Sequence, residues 1–348
     1  MKPLAPLAFA AVLERLAAGN VLGADEVRAA FDGILAGTWT PAQVGAFAVA
    51  LRIQGESAET IVAAAQALRG AMLAVDHDLP TVVDTCGTGG DGSRTLNLST
   101  AAAVVVAACG FHVAKHGNRS VSSQCGSADV IEALGIPIDV PAARQAEILR
   151  DVGIAFFFAP AHHPALKHAA QARRELGVRT IFNALGPLVN PARATHQLVG
   201  VYDDALRPVV ARALGTLGVK RAWVVRSEDG LDEVSPAAPT RVSELLEDGQ
   251  VRERFVAPED FGVERMDLSA IAGGDAQDNA RSIECILQGR PHPARLAVVL
   301  NAAAALYVAG HDDSPRACGE RARAAIDDGA AQRILETWRA ATKSPASP

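Results

Sequence analysis

The stretch Val82–Thr100 decides the fold; it reads Val-Val-Asp-Thr-Cys-Gly-Thr-Gly-Gly-Asp-Gly-Ser-Arg-Thr-Leu-Asn-Leu-Ser-Thr. The β-branched run Thr81–Thr85 predicts a short strand. Glycines that can adopt positive φ and let backbone N–H groups approach an anion follow at Gly87, Gly89, Gly90 and Gly92. Asn97 or Ser99 can cap the apolar run 101–108, and that helix would direct its dipole at the loop. Strand, loop and helix start are thus predicted to converge on one anion site.

A tight turn without a ligand is the alternative interpretation, because the loop has neither the Gly-Lys-Ser/Thr ending of a P-loop nor the third glycine of a dinucleotide fingerprint. Hydroxyl, carboxyl and amide groups crowd the residues that follow, more than a packing turn requires. These groups belong to Asp91, Ser93, Thr95, Asn97, Ser99 and Thr100. Their number favours a phosphorylated ligand.

The composition narrows the class of protein. A chain of 348 residues that is 49% hydrophobic can bury large cores, and its length favours two domains. A formal net charge of -6 argues against nucleic acid as the main partner. The chain start lacks a signal-peptide core and no apolar run is long enough to cross a bilayer, so a soluble, cytoplasmic protein is expected. Five cysteines without paired spacing suggest neither a zinc site nor disulfides.

Residues 1–73 are predicted to form a small helical domain. Apolar residues recur at three and four spacing in Phe9–Ala18, Ala24–Ala36, Pro41–Ile53 and Ala58–Met72. Plausible N-caps are Asp25, Thr40 and Ser57. Short, alanine-rich helices would also suit a helix-to-helix dimer interface.

Residues 74–348 are predicted to form an α/β domain. Strands are expected at Thr81–Cys86, His112–Lys115, Ala155–Ala159, Gln197–Tyr202 and Ala222–Arg226. Helices are expected between them at Ser99–Cys109, Ser127–Leu134, Ala142–Asp151 and Ala205–Leu217. This alternation implies a mainly parallel sheet covered on both faces, with ligands at the carboxyl ends of the strands.

Three further segments carry candidate site residues. Lys115–Ser123 surrounds a glycine with cations and hydrogen-bonding groups at a strand end, although a solvated loop is the alternative. Ala172–Thr180 holds three arginines, of which Arg173 could bind a small carboxylate or simply pair with Glu175. Asp232 and Glu233 suit Mg²⁺ bridged to a phosphate. The spacing of His162, His163 and His168 does not favour a metal site.

Taken in order, these motifs resemble the anthranilate phosphoribosyltransferase family. The resemblance rests on the helical opening with Gln43–Phe47, Gly87–Asp91, Lys115–Arg119, Gly126–Gly135, Arg173–Leu188, Asp232-Glu233 and Asn301–Ala304. It implies a nucleoside-phosphorylase-like fold, with a helical segment near residues 165–190 packing on the small domain. It further implies a homodimer joined through the helical domains. The reaction it implies joins anthranilate to phosphoribosyl pyrophosphate (PRPP), the second step from chorismate to tryptophan.

The resemblance also implies which residues bind each ligand. PRPP would be held by Gly87, Gly90, Asp91, Thr95, Asn97, Ser99, Thr100, Lys115 and Ser127. Anthranilate would be received by Gly87, His116, Asn118, His163, Arg173, Gly186 and Pro187, with Arg173 and His116 positioning it. Two Mg²⁺ ions would be held by Ser99, Asp232 and Glu233. Neutral anthranilate amine is a usable nucleophile, so no side chain is expected to act as an essential base.

The sequence departs from the usual family pattern at a few positions: Gln124-Cys125 replaces Lys-Ser, His162 stands at a frequent aromatic position, Leu96 replaces Phe, and Leu296 replaces Asp.

A pyrimidine nucleoside phosphorylase is the nearest alternative function, but the chain is expected to end too soon after Ala341 to hold the extra C-terminal domain. A non-catalytic nucleic-acid-binding homologue is a second alternative, which Asp232-Glu233 and the acidic charge disfavour. A purely structural dimerisation protein would not require the polar residues 95–100.

Overall fold

The computed structural model describes residues 8–120 and 124–343. It begins with four helices, α1 (Phe9–Ala17), α2 (Ala24–Leu35), α3 (Pro41–Gln54) and α4 (Ala58–Ala71). Thr40 and Ser57 are N-caps as predicted, since their hydroxyls accept hydrogen bonds from Gln43 N and Thr60 N. The prediction for Asp25 was wrong, because Gly23 is the N-cap and Asp25 lies in the first turn. The predicted helical opening is confirmed.

The strands that follow are β1 (Val82–Asp84), β2 (His112–Gly117), β3 (Ile154–Phe158), β4 (His196–Gly200), β5 (Arg221–Ser227), β6 (Thr240–Leu245) and β7 (Val251–Val256). The remaining helices are α5 (Leu98–Ala108), α6 (Ser127–Ala133), α7 (Ala142–Val152), α8 (Ala159–His162), α9 (Lys167–Leu176), α10 (Ile181–Ala184), α11 (Leu206–Thr216), α12 (Ala276–Leu287), α13 (Arg295–Val308), α14 (Pro315–Asp327) and α15 (Ala330–Lys343).

Within the described residues the strands form one sheet in the order β3-β2-β1-β4-β5-β6-β7. The pairs from β3 through β5 are parallel, and β6 and β7 are antiparallel. The predicted mainly parallel sheet flanked by helices is therefore confirmed. The strands β6 and β7 were not predicted, and the predicted β1 extended to Cys86, beyond the last ladder pair at Asp84.

The strand order reverses at β1. From β1 the chain proceeds outward to β2 and β3, and then returns to place β4 on the opposite side of β1. The loops that leave β1 and β4 consequently diverge at a topological switch point, where open α/β sheets bind their ligands. The loops are joined by hydrogen bonds from Thr88 N to Gly200 O (2.8 Å) and from Tyr202 N to Thr88 Oγ1 (3.0 Å).

Two hydrophobic cores cover the two faces of the sheet. One contains the wholly buried helix faces of α5 and α13. The other runs without interruption from Phe31 and Phe47 of the helical opening to Val210 and Val224 at the sheet. The helices α3 and α9 pack together, as do α4 and α11. The helical opening is thereby fixed against the sheet, close to the carboxyl ends of its strands. In the described residues, no helix is long and apolar enough to span a bilayer.

Candidate active site

The glycine loop after β1 forms one wall of a cleft of about 370 Å³ at the switch point. Gly89, Gly90 and Gly92 have φ values of 63°, 83° and 80°, which glycine adopts without the steric cost of a Cβ. Gly87 does not have positive φ. Its role is close approach, because an added Cβ would lie 3.3 Å from both Asp232 Oδ2 and Gly200 O. The loop exposes backbone to the cleft in the way an anion site requires.

The start of α5 differs from its prediction in one respect. Asn97 occupies the N-cap position, but its side chain makes no capping hydrogen bond. It instead donates to Cys125 O (3.3 Å) and accepts from Asn279 Nδ2 (3.0 Å). The N-terminal amides of α5 are consequently not capped by Asn97, and the backbone N–H of Ser99 donates to Glu233 Oε1 (3.2 Å). The helix dipole therefore acts on an acidic group of the cleft.

The end of β2 contributes a cation and a fixed turn. The Lys115 side chain is buried and its Nζ donates to Thr85 O (3.1 Å). The Ser127 hydroxyl bonds to the backbone of Asn118, accepting from its N–H and donating to its carbonyl at 3.2 Å each. Arg119, which also lines the cleft, pairs with Asp129 at 2.9 Å, so its charge is already partnered. The predicted cluster thus supplies one buried ammonium group, while residues 121–123 lie outside the described part of the chain.

Three carboxylates meet in the cleft although they come from two distant loops. Asp91 Oδ2 accepts from the backbone N–H of Asp232 (3.4 Å), and Glu233 follows directly. Burial, with the charge of the neighbouring Asp91 adding to it, raises the pKa of Asp232 to about 7. Burial and the charge of Asp232 likewise raise the pKa of Glu233, against the ammonium of Lys115. Mutually repelling oxygen ligands of this kind fit hard Mg²⁺, which would lower both pKa values on binding.

The loop that carries Asp232 and Glu233 is fixed by hydrogen bonds from α13 and by close packing against Gly200. Asn301 on α13 is fully buried; its Oδ1 accepts from Val234 N and its Nδ2 donates to Val234 O and Ala297 O, at 3.0 Å each. Gly200 packs so closely against this loop that an added Cβ would lie 1.5 Å from Asp232 O. These contacts fix the acidic pair before any ligand arrives.

The opposite wall of the cleft carries two buried histidines. The rings of His116 and His163 lie 5.3 Å apart between centroids. Burial lowers the pKa of His116 well below its ordinary value, with His163 adding to the effect, and burial lowers the pKa of His163 to about 4. Both rings are therefore neutral at pH 7. His162 does not line the cleft, because its Nδ1 donates to Leu73 O (2.8 Å).

Arg173 on α9 borders the same wall. Its guanidinium lies 5.7 Å from the Phe182 ring centroid, and burial lowers its pKa. Glu175, the partner weighed from the sequence, bonds instead to Gln171 Nε2 (2.9 Å). Among the described residues, the Arg173 side chain makes no hydrogen bond or ion pair; its backbone carbonyl accepts from Gly177 N. A half-buried guanidinium without a protein carboxylate is suited to bind one from a ligand.

The structure brings almost every sequence-predicted site residue into this one cleft. Its lining includes Gly87, Gly90, Asp91, Thr95, Asn97, Ser99, Lys115, His116, Asn118, Ser127, His163, Arg173, Gly186, Pro187, Asp232 and Glu233. Thr100 is the exception: it is 1% exposed, and it lies beneath the lining. Of the unusual residues, Leu96 and Gln124 line the cleft, whereas Leu296 packs against the core.

Some contacts of the site were missed. Arg179 donates to the carbonyl of Gly90 in the glycine loop, and its position in the arginine-rich segment was the available signal. Asn279 on α12 supports Asn97, and Leu68 of α4 reaches the cleft. Nothing local in the sequence marks these two, since their role depends on how distant helices pack.

Comparison with known proteins agrees with this geometry. The helical bundle domain of the glycosyl transferase family matches residues 10–72, and its a/b domain matches residues 79–332. The fold and site thus define a glycosyl transferase with both of these domains. The anthranilate phosphoribosyltransferase of Symbiobacterium thermophilum is 50% identical over 329 residues, covering 94% of this chain and 96% of that protein. The chain belongs to the anthranilate phosphoribosyltransferase family.

Solved structures extend the comparison. The anthranilate phosphoribosyltransferase of Thermus thermophilus superposes with a TM-score of 0.90 at 38% identity, over 96% of this chain and 99% of that one. The Saccharomyces cerevisiae enzyme, solved in complex with PRPP and Mg, superposes with a TM-score of 0.90 at 29% identity, and the match covers 97% of this chain and 98% of that one. Another structure of the yeast enzyme contains 4-fluoroanthranilate. It superposes with a TM-score of 0.88 at 28% identity, and the match covers 97% of this chain and 99% of that one.

Proposed function

We propose that this protein transfers the phosphoribosyl group of PRPP to the amine of anthranilate, giving N-(5-phosphoribosyl)anthranilate and pyrophosphate, the second step of tryptophan synthesis from chorismate. The observation that carries the proposal is one cleft with a phosphate-type glycine loop, an oxygen-only acidic cluster, and an arginine without a protein partner among the described residues. A phosphorylated donor and a carboxylate-bearing acceptor can therefore meet there.

The donor would lie along the glycine loop. Backbone N–H groups at Gly87 and Gly90, together with the start of α5 at Ser99 and Thr100, would receive the phosphates. Thr95, Asn97 and Ser127 would add side-chain donors around them. The Lys115 ammonium, buried behind the loop, offsets negative charge in the cleft. Thr100 would act through its position in α5 because its side chain does not reach the lining.

Two Mg²⁺ ions are proposed for the acidic side of the cleft, held by Ser99, Asp232 and Glu233. When bound, Mg²⁺ stabilises the negative charge that develops on departing pyrophosphate. The two carboxylates would bind the ions because their mutual repulsion and burial favour a nearby cation. Asp91, which bonds to the Asp232 backbone, keeps their loop beside the glycine loop.

The acceptor would occupy the histidine wall. Arg173 would bind the anthranilate carboxylate, and Gly87, Asn118, Gly186 and Pro187 would border the ring. Neutral His116 and His163 can orient the amine by hydrogen bonding without placing positive charge near the ribose. Anthranilate amine then attacks C1 as the bond to pyrophosphate breaks. Since the amine is nucleophilic when neutral, positioning by Arg173 and His116 replaces an essential general base.

Three further assignments are part of the proposal. The chain is divided into a helical domain, residues 1–73, and an α/β domain, residues 74–348. It forms a homodimer through the helical domains, where Val21 and Ile53 are 73% and 80% exposed. It works in the cytoplasm, a reducing compartment that suits its five free cysteines. Light scattering on wild type and Ile53→Glu tests the dimer; a monomeric wild type would contradict it.

The reaction is tested by following the loss of anthranilate fluorescence on mixing with PRPP and Mg²⁺. We expect Mg²⁺-dependent loss in wild type and none in Asp232→Ala/Glu233→Ala. Arg173→Ala should raise the KM for anthranilate by about 10- to 100-fold, the loss expected for one charge-assisted pair. Arg174→Ala, its exposed neighbour, is the matched control. No fluorescence loss with folded wild-type protein contradicts the function, and lost turnover with unchanged KM in Arg173→Ala contradicts the positioning role.

A further inference from the structure

Three different metal-binding side chains lie together beneath the glycine loop. Asp84 is the last residue of β1, Cys86 follows two residues later, and His116 lies near the end of the parallel neighbour β2. A carboxylate oxygen, the thiol sulfur and a ring nitrogen of these residues all lie within 4.8 Å of one another, and all three residues are buried.

The imidazole of this cluster has spare binding capacity. His116 is 2% exposed, and neither of its ring nitrogens has a hydrogen-bond partner among the described protein groups. Neighbouring His163 is 4% exposed; the backbone of Val189 faces its ring without reaching hydrogen-bond geometry, so its ring nitrogens are also unpartnered within the described residues. Gly186 O faces the His116 ring without reaching hydrogen-bond geometry. Buried polar atoms normally have partners, so these nitrogens point to a ligand.

The carboxylate is already oriented. Asp84 Oδ2 accepts from Asn190 Nδ2 (2.7 Å), and Oδ1 accepts from the backbone N–H of His116 (3.2 Å). Such outer hydrogen bonds hold metal ligands in place. Tetrahedral Zn²⁺ at bond lengths of about 2.0–2.3 Å separates its ligand atoms by about 3.3–3.8 Å, so small side-chain rotations would close the cluster around an ion.

We propose that Asp84, Cys86 and His116 form a site for a thiophilic divalent ion such as Zn²⁺, separate from the oxygen-lined Mg²⁺ site. Sulfur and imidazole select Zn²⁺ over Mg²⁺. On binding, the Cys86 thiol loses its proton to solvent and the sulfur lone pair forms the metal bond. Thiolate and carboxylate then balance the two charges of the ion. Water or His163, whose ring centroid lies 5.3 Å from that of His116, would supply the fourth ligand.

The site predicts inhibition by zinc, a consequence that rests on the proposed acceptor pocket. An ion on His116 withdraws that ring from anthranilate and occupies space at the histidine wall. Zn²⁺ should therefore raise the apparent KM for anthranilate in excess Mg²⁺, and a chelator should restore activity. The ion binding itself does not depend on the reaction, and it is measured without substrates.

The test is a Co²⁺ titration of the reduced, substrate-free protein, read by the thiolate-to-metal absorption band in the near ultraviolet. Wild type should give a band that saturates at one ion per chain and disappears when Zn²⁺ displaces Co²⁺. Cys86→Ser should lose the band. Cys125→Ser is the matched control, since Cys125 is another buried cysteine of the same cleft, and it should keep the band.

A band that persists in Cys86→Ser, or none in wild type at Co²⁺ concentrations of about 100 µM, overturns the site. Circular dichroism of each variant verifies the fold, and His116→Asn provides a second variant that should weaken the band without removing the thiol. If the band follows Cys86 while Zn²⁺ does not compete with anthranilate, the metal site is supported and the placement of anthranilate at His116 is contradicted.

Discussion

The guanidinium of Arg179 lies over the ring of Tyr202, 4.5 Å from the ring centroid, and donates a hydrogen bond to the carbonyl of Gly90. Arg52 on α3 in turn donates to the Arg179 carbonyl. The helical opening, the exit of β4 and the glycine loop are thus tied through one residue. Because the loop is proposed to hold PRPP, we expect Arg179 to position the donor.

Replacement of Arg179 by alanine is expected to loosen the glycine loop. A cation–π contact and a charge-assisted hydrogen bond near the surface together contribute about 1–2 kcal/mol, so the KM for PRPP should rise by about 5- to 30-fold. The KM for anthranilate should change little. Steady-state kinetics with each substrate varied in turn measures this, with Arg174→Ala as control. Equal changes in both KM values would contradict a role specific to the loop.

Gly200→Ala is expected to disturb the acidic pair. The new Cβ would overlap Asp232 O at 1.5 Å, and backbone cannot yield as a flexible side chain can. The free energy of unfolding should fall by about 3 kcal/mol, and the Mg²⁺ concentration for half-maximal activity should rise. Gly70→Ala on α4, where nothing lies within 4 Å, should instead stabilise by about 0.5–1 kcal/mol. Denaturant unfolding distinguishes them; similar stability of both variants would show that the loop adapts.

Asn301→Leu tests the support beneath the acidic pair. The substitution removes both hydrogen bonds to Val234 and leaves buried backbone groups without partners. We expect the unfolding free energy to fall by about 3 kcal/mol. The Mg²⁺ concentration for half-maximal activity should rise, because the acidic pair would bind Mg²⁺ less tightly. Thr337→Ala on the exposed face of α15 should change stability by less than about 0.5 kcal/mol. An unchanged Mg²⁺ dependence in a folded Asn301→Leu protein would exclude the positioning role.

Burial of His196 should contribute a loss of stability as the pH falls from 6.5 toward 4. Burial lowers the pKa of His196 to about 4, assisted by Arg221 and Lys220 and opposed by Glu247. Between these pH values the unfolded chain binds the proton and the folded protein does not, so unfolding is favoured. His196→Gln should show a shallower decline of the denaturant midpoint between pH 6.5 and 4. Parallel curves for wild type and variant would refute this contribution.

Local patterns predicted the five parallel strands and the helices α5, α6, α7 and α11 between them, with ends displaced by a few residues. They did not predict α8 to α10 or α12 to α15. The Asp248-Gly249 turn between two short runs was the local signal available for the β6–β7 hairpin. The N-caps Thr40 and Ser57 were predicted because capping is local. Asn97 occupies the predicted N-cap position, but its predicted capping bond is absent because Asn279 and the Cys125 carbonyl, both remote in sequence, bind its side chain.

The sequence by itself determined which chemical groups stand at each strand end: glycines after β1, a lysine and histidine on β2, and an acidic pair after β5. Side-chain alternation and glycine conformations follow from neighbouring residues alone. Only the tertiary structure decided that β4 lies beside β1, that Asp232 N meets Asp91 across 141 residues, and that Cys86 adjoins His116. Strand order depends on packing between distant segments, and no local propensity encodes it.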